Sequence, residues 1–182
     1  NDSTVVPGAA QAVAWLSAKN IPFRFITNTT MKSRKTLREK LGNMGISIGI
    51  ASIFSAAFAA AEFLRKQKEN TCYCILTADA LSEFSGVNYS AEKVRYVVLG
   101  DPGAQVNFNR LNKAFLHLME GARLIALQKN RFWLSDSGYQ MDAGPFVAML
   151  EYAARTQALL IGKPSATFFE MAAENMRLKT TD

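Results

Sequence analysis

The sequence predicts an α/β protein, a parallel doubly wound sheet interrupted by a denser inserted α+β block. Two observations carry this. The first third alternates helix, strand, helix, strand, helix, the order that builds parallel layers with helices on their faces. After a strand-rich middle, residues 144–178 return to helix, strand, helix.

Taken in order, Pro7-Gly8 marks a turn. A helix follows, with Ala9, Val13 and Leu16 turned inward and Asn20 near its end. PFRFIT (22–27) is a short apolar strand, and SRKTLREKLGNMG (33–45) a helix with Leu37, Leu41 and Met44 on one face. SIF (52–54) makes a short strand, and the Ala-rich 55–69 a helix. In the middle, 71–78 and 93–100 read as strands and 107–121 as a helix with a Leu111, Phe115, Leu118 stripe. Residues 122–128 and 131–135 read as further strands, and Asp136-Ser137-Gly138 as a turn. GPFVAMLEYAAR (144–155) is a helix with Pro145 in its first turn, where the missing N–H costs little. ALLIGKP (158–164) is a buried strand running into a loop, and 166–178 the last helix.

The 182 residues are 49% hydrophobic, enough for a substantial core. No apolar run approaches the roughly 20 residues of a membrane span, and residues 1–20 lack a signal-peptide layout. A soluble cytoplasmic protein is expected. The net charge of +6 is local: residues 1–70 hold 10 Lys and Arg against 4 Asp and Glu, whereas residues 71–182 hold 11 of each. Lys32, Arg34, Lys35, Arg38 and Lys40 form its densest cluster. Leu37 and Leu41 share that helix and face a core, so it makes a poor nucleic-acid reader. A solvated face or an anionic small molecule is the better reading. Cys72 and Cys74 fall on one strand face, with Tyr73 opposite, and are expected to be reduced core thiols. With one His in the chain, His117 is expected to be structural or at the surface rather than catalytic.

Two strand ends carry candidate chemistry. In open α/β sheets ligands bind outside the carboxyl ends of the strands. The run FRFITNTTMKSRK (23–35) puts Thr27, Asn28 and Thr29 at such an end. The Thr27 hydroxyl can donate to an oxyanion, and the N-terminus of the next helix favours an anion. Lys32, Arg34 and Lys35 there oppose the helix dipole, a cost that a bound phosphate would offset. The plain alternative is that Thr and Asn are ordinary caps and turn formers. The second stretch, LLIGKPS (159–165), places Lys163 at another strand end, a point charge suited to a phosphoryl group. It is not a P-loop, since G-x-x-x-x-G-K-[ST] is absent.

Together and in this order, VPGA, ITNTT, GAR-IAL, AGPFV-MLEYA and IGKPS-TFFE resemble the haloacid dehalogenase-like phosphatases over residues 5–175. The likeness is to the subclass with a large cap between the second and third motifs, and within it to phospholysine phosphohistidine inorganic pyrophosphate phosphatase-like proteins. The resemblance implies an incomplete Rossmann-like parallel sheet core, residues 1–64 and 144–182, with an inserted α+β cap at 65–143. It implies Mg2+-dependent hydrolysis of a small phosphorylated molecule through an aspartyl-phosphate. Thr27 would hold the phosphoryl oxygens, Asn28 and Thr29 would shape the loop beside it, and Lys163 would neutralise charge as the catalytic lysine. The loops at 128–130 and 139–142 would be specificity positions in the cap, which often forms a homodimer in such proteins.

The sequence also departs from the family. It has no D-x-D-G-T/V first motif and no acidic G-D-D-like fourth motif, and neither Asp2 nor Asp182 matches them. The nucleophile and the magnesium ligands are therefore not expected among these residues, and this stretch alone is expected to be an inactive fragment. Its strand at 22–27 is expected to expose an edge. The alternative is a non-catalytic phosphate-binding or protein-interaction relative.

Overall fold

A computed structural model describes residues 4–90, 92–103, 106–135 and 137–178. Asp2, Asp136 and Asp182 lie outside the described residues. The order is α1 (Ala9–Ala18), β1 (Phe25–Thr27), α2 (Arg34–Asn43), β2 (Ile53–Ser55), α3 (Ala56–Arg65), β3 (Cys72–Ile75), α4 (Ala78–Leu81), β4 (Tyr96–Leu99), α5 (Phe108–Met119), β5 (Arg123–Ala126), β6 (Phe132–Ser135), β7 (Gly138–Met141), α6 (Ala143–Ala154), β8 (Leu159–Leu160) and α7 (Ala166–Asn175). The α/β class is as expected. Each anticipated strand and helix forms, most of them shorter by one to a few residues, with β2 shifted by one. Not anticipated were the single turn α4, the 3-10 turns Ile50–Ser52 and Ser82–Phe84, and β7, which completes a hairpin with β6.

A four-stranded sheet runs β3-β4-β5-β8, all parallel. Its strands are buried on both faces. Cys72, Tyr96, Val98, Ile125, Leu127 and Ile161 face one apolar cluster, and Ile75, Val97, Leu99, Leu124 and Ala126 the other. This is the two-residue alternation of a strand with helices on either side. The first cluster packs on α3 and on Phe168 of α7. The second packs on Ala114 and Leu118 of α5 and Val147 and Leu150 of α6. Cys72 and Cys74 are both free thiols on the first face, 3.4 Å apart at sulfur, and burial with the neighbouring thiol pushes Cys74 upward in pKa, the Cys72 hydrogen bond being the largest cause. Tyr73 faces the other way, its ring centroid 5.3 Å from that of His117. His117 is buried, with its Nδ1 3.4 Å from Glu120 Oε2.

Helix α3 shows why the sequence places Ala there. Ala56, Ala57, Ala59, Ala60 and Ala61 are all fully buried. Small side chains let the helix lie close to the sheet, and Phe54, Phe58 and Phe168 fill what remains through edge and tilted ring contacts. Ser55 caps the helix by accepting the Phe58 N–H at 3.2 Å.

The strands β1 and β2 pair parallel in a sheet of their own, Thr27 opposite Ser55. The second edge of β1 has no partner strand among the described residues, and α1 buries no residue, with Trp15 55% exposed.

Candidate active site

The turn after β1 is tied to the carboxyl ends of three other strands. The Asn28 side chain grips the backbone of Lys163, donating from Nδ2 to its carbonyl at 2.9 Å and accepting its N–H at Oδ1 at 2.8 Å. The buried Thr30 hydroxyl accepts the Asp101 N–H at 2.8 Å, just past β4. Past β3, the Thr77 hydroxyl donates to the Met31 carbonyl at 2.6 Å. Glycine is required at 162, because a Cβ there would strike the Leu127 carbonyl and come within 2.8 Å of Asn28 Oδ1. The two sequence stretches singled out for chemistry are thus joined through one amide side chain.

Inside the turn, Thr29 donates its N–H to Thr27 Oγ1 at 3.1 Å, and the two hydroxyl oxygens stand 2.9 Å apart. With one lone pair of Thr27 Oγ1 already used as an acceptor, its proton remains available for Thr29 or for an incoming oxyanion. The turn opens on a cleft of about 320 Å³ lined by Thr27 to Lys32, Asp101, Gln128, Asn130, Trp133 and Asp142. Lys163 does not line it. Its backbone joins the cleft through Asn28, and its half-buried side chain forms no ion pair among the described residues.

The N-terminus of α2 differs from the expectation that an external phosphate would sit there. Two carboxylates of the chain itself fill that place. Asp79 accepts the Ser33 N–H at 3.0 Å and its hydroxyl at 2.7 Å. Glu83, buried, accepts the Arg34 N–H at 2.5 Å and the guanidinium Nε at 2.9 Å. Arg34 also lies over the Phe58 ring, 3.4 Å from its centroid. Burial pushes the Asp79 pKa up, but hydrogen bonds from Ser33 and Thr36 and the charge of Lys32 outweigh it and leave the carboxyl below its ordinary value. These internal anions supply the dipole complement at the N-terminus of α2.

Sequence reasoning missed Asp101 on the cleft lining, whereas Asp142 lay in one of the loops it weighed. Asp101 follows β4 directly. Burial raises its pKa, the Gly103 N–H lowers it and nearby Asp142 raises it, the net being upward. Asp142 caps α6, accepting the Ala143 N–H at 2.8 Å, and the fully buried Gln128 donates to the same carboxylate. Gln128 in turn accepts the Asn130 N–H at 2.5 Å. A charged residue immediately after an apolar strand, Leu99-Gly100-Asp101, was the signal available for the first. Of the loops weighed as specificity positions, Gln128, Asn130 and Asp142 reach the cleft. Lys129 instead pairs with Glu151 at 2.8 Å, and Tyr139, Gln140 and Met141 lie outside the lining.

Magnesium ions need several hard oxygen ligands. Among the described residues no group of three or more His, Cys, Asp or Glu is placed to hold a metal, so these residues do not by themselves fit such an ion. No helix among them is long and apolar enough to cross a membrane.

Comparison with known proteins gives a consistent result. A family model described as haloacid dehalogenase-like hydrolase matches residues 1–90. The chain is 38% identical over 168 residues to haloacid dehalogenase-like hydrolase domain-containing protein 2 of Mus musculus, covering 92% of this chain and 64% of that protein. It is 34% identical over 173 residues to human phospholysine phosphohistidine inorganic pyrophosphate phosphatase, covering 94% of this chain and 63% of that protein. The chain therefore spans somewhat under two thirds of the length of these curated relatives. Among solved structures, p-nitrophenyl phosphatase from Archaeoglobus fulgidus superposes with a TM-score of 0.90 at 23% identity, over 98% of this chain and 70% of that one. The 4-nitrophenylphosphatase from Thermotoga maritima gives 0.88 at 25% identity, over 97% and 69%. With the joined strand-end loops and the parallel sheet already in place, these likenesses identify the chain as a member of the haloacid dehalogenase-like hydrolases.

Proposed function

We propose that these residues form the phosphoryl-holding part of a phosphatase acting on a small phosphorylated molecule, in which the attacking aspartate and the magnesium ligands come from residues other than these 182. The division into a core of residues 1–64 and 144–182 and a cap of 65–143 belongs to the same proposal, with β8 on the core side of the boundary hydrogen-bonded to β5 on the cap side. The observation that carries it is the Asn28 link, which brings the Thr27 turn and the Lys163 loop together at the carboxyl ends of parallel strands. Phosphoryl transfer asks chiefly for positioned donors and positive charge around the transferred group. In this reading the Thr27 hydroxyl and the N–H groups of the turn hold the phosphoryl oxygens. The long Lys163 side chain, which forms no ion pair among the described residues, extends to neutralise charge on the nucleophile and the phosphoryl group. Magnesium, when bound by the complete protein, would supply further charge neutralisation.

The test is turnover of p-nitrophenyl phosphate with added magnesium. The 182-residue chain is expected to show none above a Lys163→Ala control. A longer form that includes a D-x-D segment is expected to turn over, and to lose that activity on Lys163→Ala. Turnover by the short chain that depends on Lys163 would overturn the division of labour. A longer form that binds phosphate without turnover would favour the non-catalytic reading.

A further inference from the structure

We propose that Cys72 and Cys74 form a reversible disulfide within β3, and that closing it slackens the hold of β3 and α4 on the turn after β1. The pair lies outside the cleft lining, so its chemistry is independent of what the Thr27 end holds.

These are the two cysteines of the chain, and both are free thiols. Two steps apart along β3, they project from one face with their Sγ atoms 3.4 Å apart. Residues two apart in a parallel strand have Cα atoms about 6.6 Å apart, inside the roughly 4.4–6.8 Å that disulfides span. Closure brings the sulfurs to about 2.05 Å, so the strand must pucker between them. It can give, because β3 is the end strand of its sheet. The Thr71 and Ile75 carbonyls turn toward β4, accepting the Tyr96 and Gly100 N–H groups. Cys72 turns to the other edge, where its N–H donates to the Asn88 carbonyl and its own carbonyl accepts the Ser90 N–H. Cys74 shares that outer edge by the alternation of the strand, and its carbonyl meets the flexible Arg110 side chain at 3.4 Å. Cys74 is half-buried and Cys72 buried, so an oxidant meets Cys74 first. With glutathione disulfide as oxidant, the Cys74 thiolate attacks one of its sulfurs and expels the other as glutathione. Cys72 then attacks the Cys74 sulfur, the bond within β3 forms and the second glutathione leaves. Two electrons and two protons pass from the pair to the oxidant, which ends as two thiols. Just beyond Cys74 stand the groups that hold the turn after β1 and the start of α2. The Thr77 hydroxyl donates to the Met31 carbonyl at 2.6 Å, and Asp79 and Glu83 accept the Ser33 and Arg34 N–H groups. A pucker at Cys74, three residues before Thr77, displaces these anchors.

The experiment incubates the folded chain with glutathione disulfide at alkaline pH, because the thiolate is the attacking form and the Cys72 contact and burial hold Cys74 protonated. The intact mass is expected to fall by two hydrogens with both thiols lost to titration, and dithiothreitol is expected to restore them. Cys72→Ser should instead accumulate one glutathione on Cys74, and Cys74→Ser should stay unmodified over the same time. Between the reduced and bridged 15N-labelled chain, backbone amide shifts are expected at Met31, Ser33 and Arg34. A mixed disulfide that persists in the unaltered chain, a disulfide-linked dimer, or two unreacted thiols would overturn the bridge. So would bridging that quickens with urea below the unfolding transition, the mark of a route through the unfolded chain. A bridged chain with those three amides unmoved would overturn the link to the turn.

Discussion

Asn28 is the residue on which the site geometry depends most directly. An amide side chain offers one acceptor and one donor, and here both are spent on the backbone of Lys163, 135 residues away in sequence. Asn28→Ala removes two hydrogen bonds and leaves a part-buried N–H and carbonyl unpaired. It should cost roughly 2 kcal/mol, a Tm lower by roughly 4–8 °C for a chain of this size. Asn28→Asp keeps the acceptor for the Lys163 N–H and loses the donor, so it should fall between the two by thermal melting. Thr27 and Lys163 were legible in the sequence because each ends an apolar strand in a polar loop. Asn28 was legible as a neighbour of that loop, but the bond it forms was not, since nothing local shows which of two distant loops an amide will join. Asp101 escaped for the same reason, and Asp142 was legible only as a member of the 139–142 loop. Each is an ordinary turn or cap residue in its own segment and becomes a cleft wall only when β4, β5 and α6 meet.

At the scale of elements, α2 gives the sharpest contrast between expectation and outcome. The sequence showed a helix opening with Lys32, Arg34 and Lys35, an arrangement unfavourable to the helix dipole. The compensating anions are Asp79 and Glu83, about fifty residues further on and in the short α4 region that was not anticipated. Glu83 is buried with Arg34, and breaking such a pair by removing one partner leaves an uncompensated charge. Glu83→Ala should destabilise the chain by roughly 3–5 kcal/mol, whereas Arg34→Met together with Glu83→Leu should recover much of that loss. Urea unfolding of the single and double variants decides it, and an additive double variant would show that the pair is not coupled. Strand and helix types were readable because both faces of the parallel strands are apolar and the helices repeat their stripes. The exposed β7 escaped because Tyr139, Gln140 and Met141 carry no buried face to leave a pattern.

At the scale of the whole molecule, the four-stranded parallel sheet is covered on both faces, with α3 and α7 on one side and α5 and α6 on the other. The β1-β2 pair stands apart from it and carries an open edge. The turn that leaves β1 is nevertheless held firmly, because β3, β4 and β8 each contribute a hydrogen bond to it from their carboxyl ends. The cleft is therefore organised by the larger sheet, and the proposal that its Thr27 end holds a phosphoryl group can be tested on this chain without turnover. The direct measurement is a titration of the 15N-labelled chain with orthophosphate, followed at the backbone amides of residues 27–30 and of Lys163, with Thr27→Val in parallel. The account predicts saturable shifts concentrated at those amides and strongly weakened by Thr27→Val. Shifts scattered over the basic face of α2, or a binding curve unchanged by Thr27→Val, would contradict it.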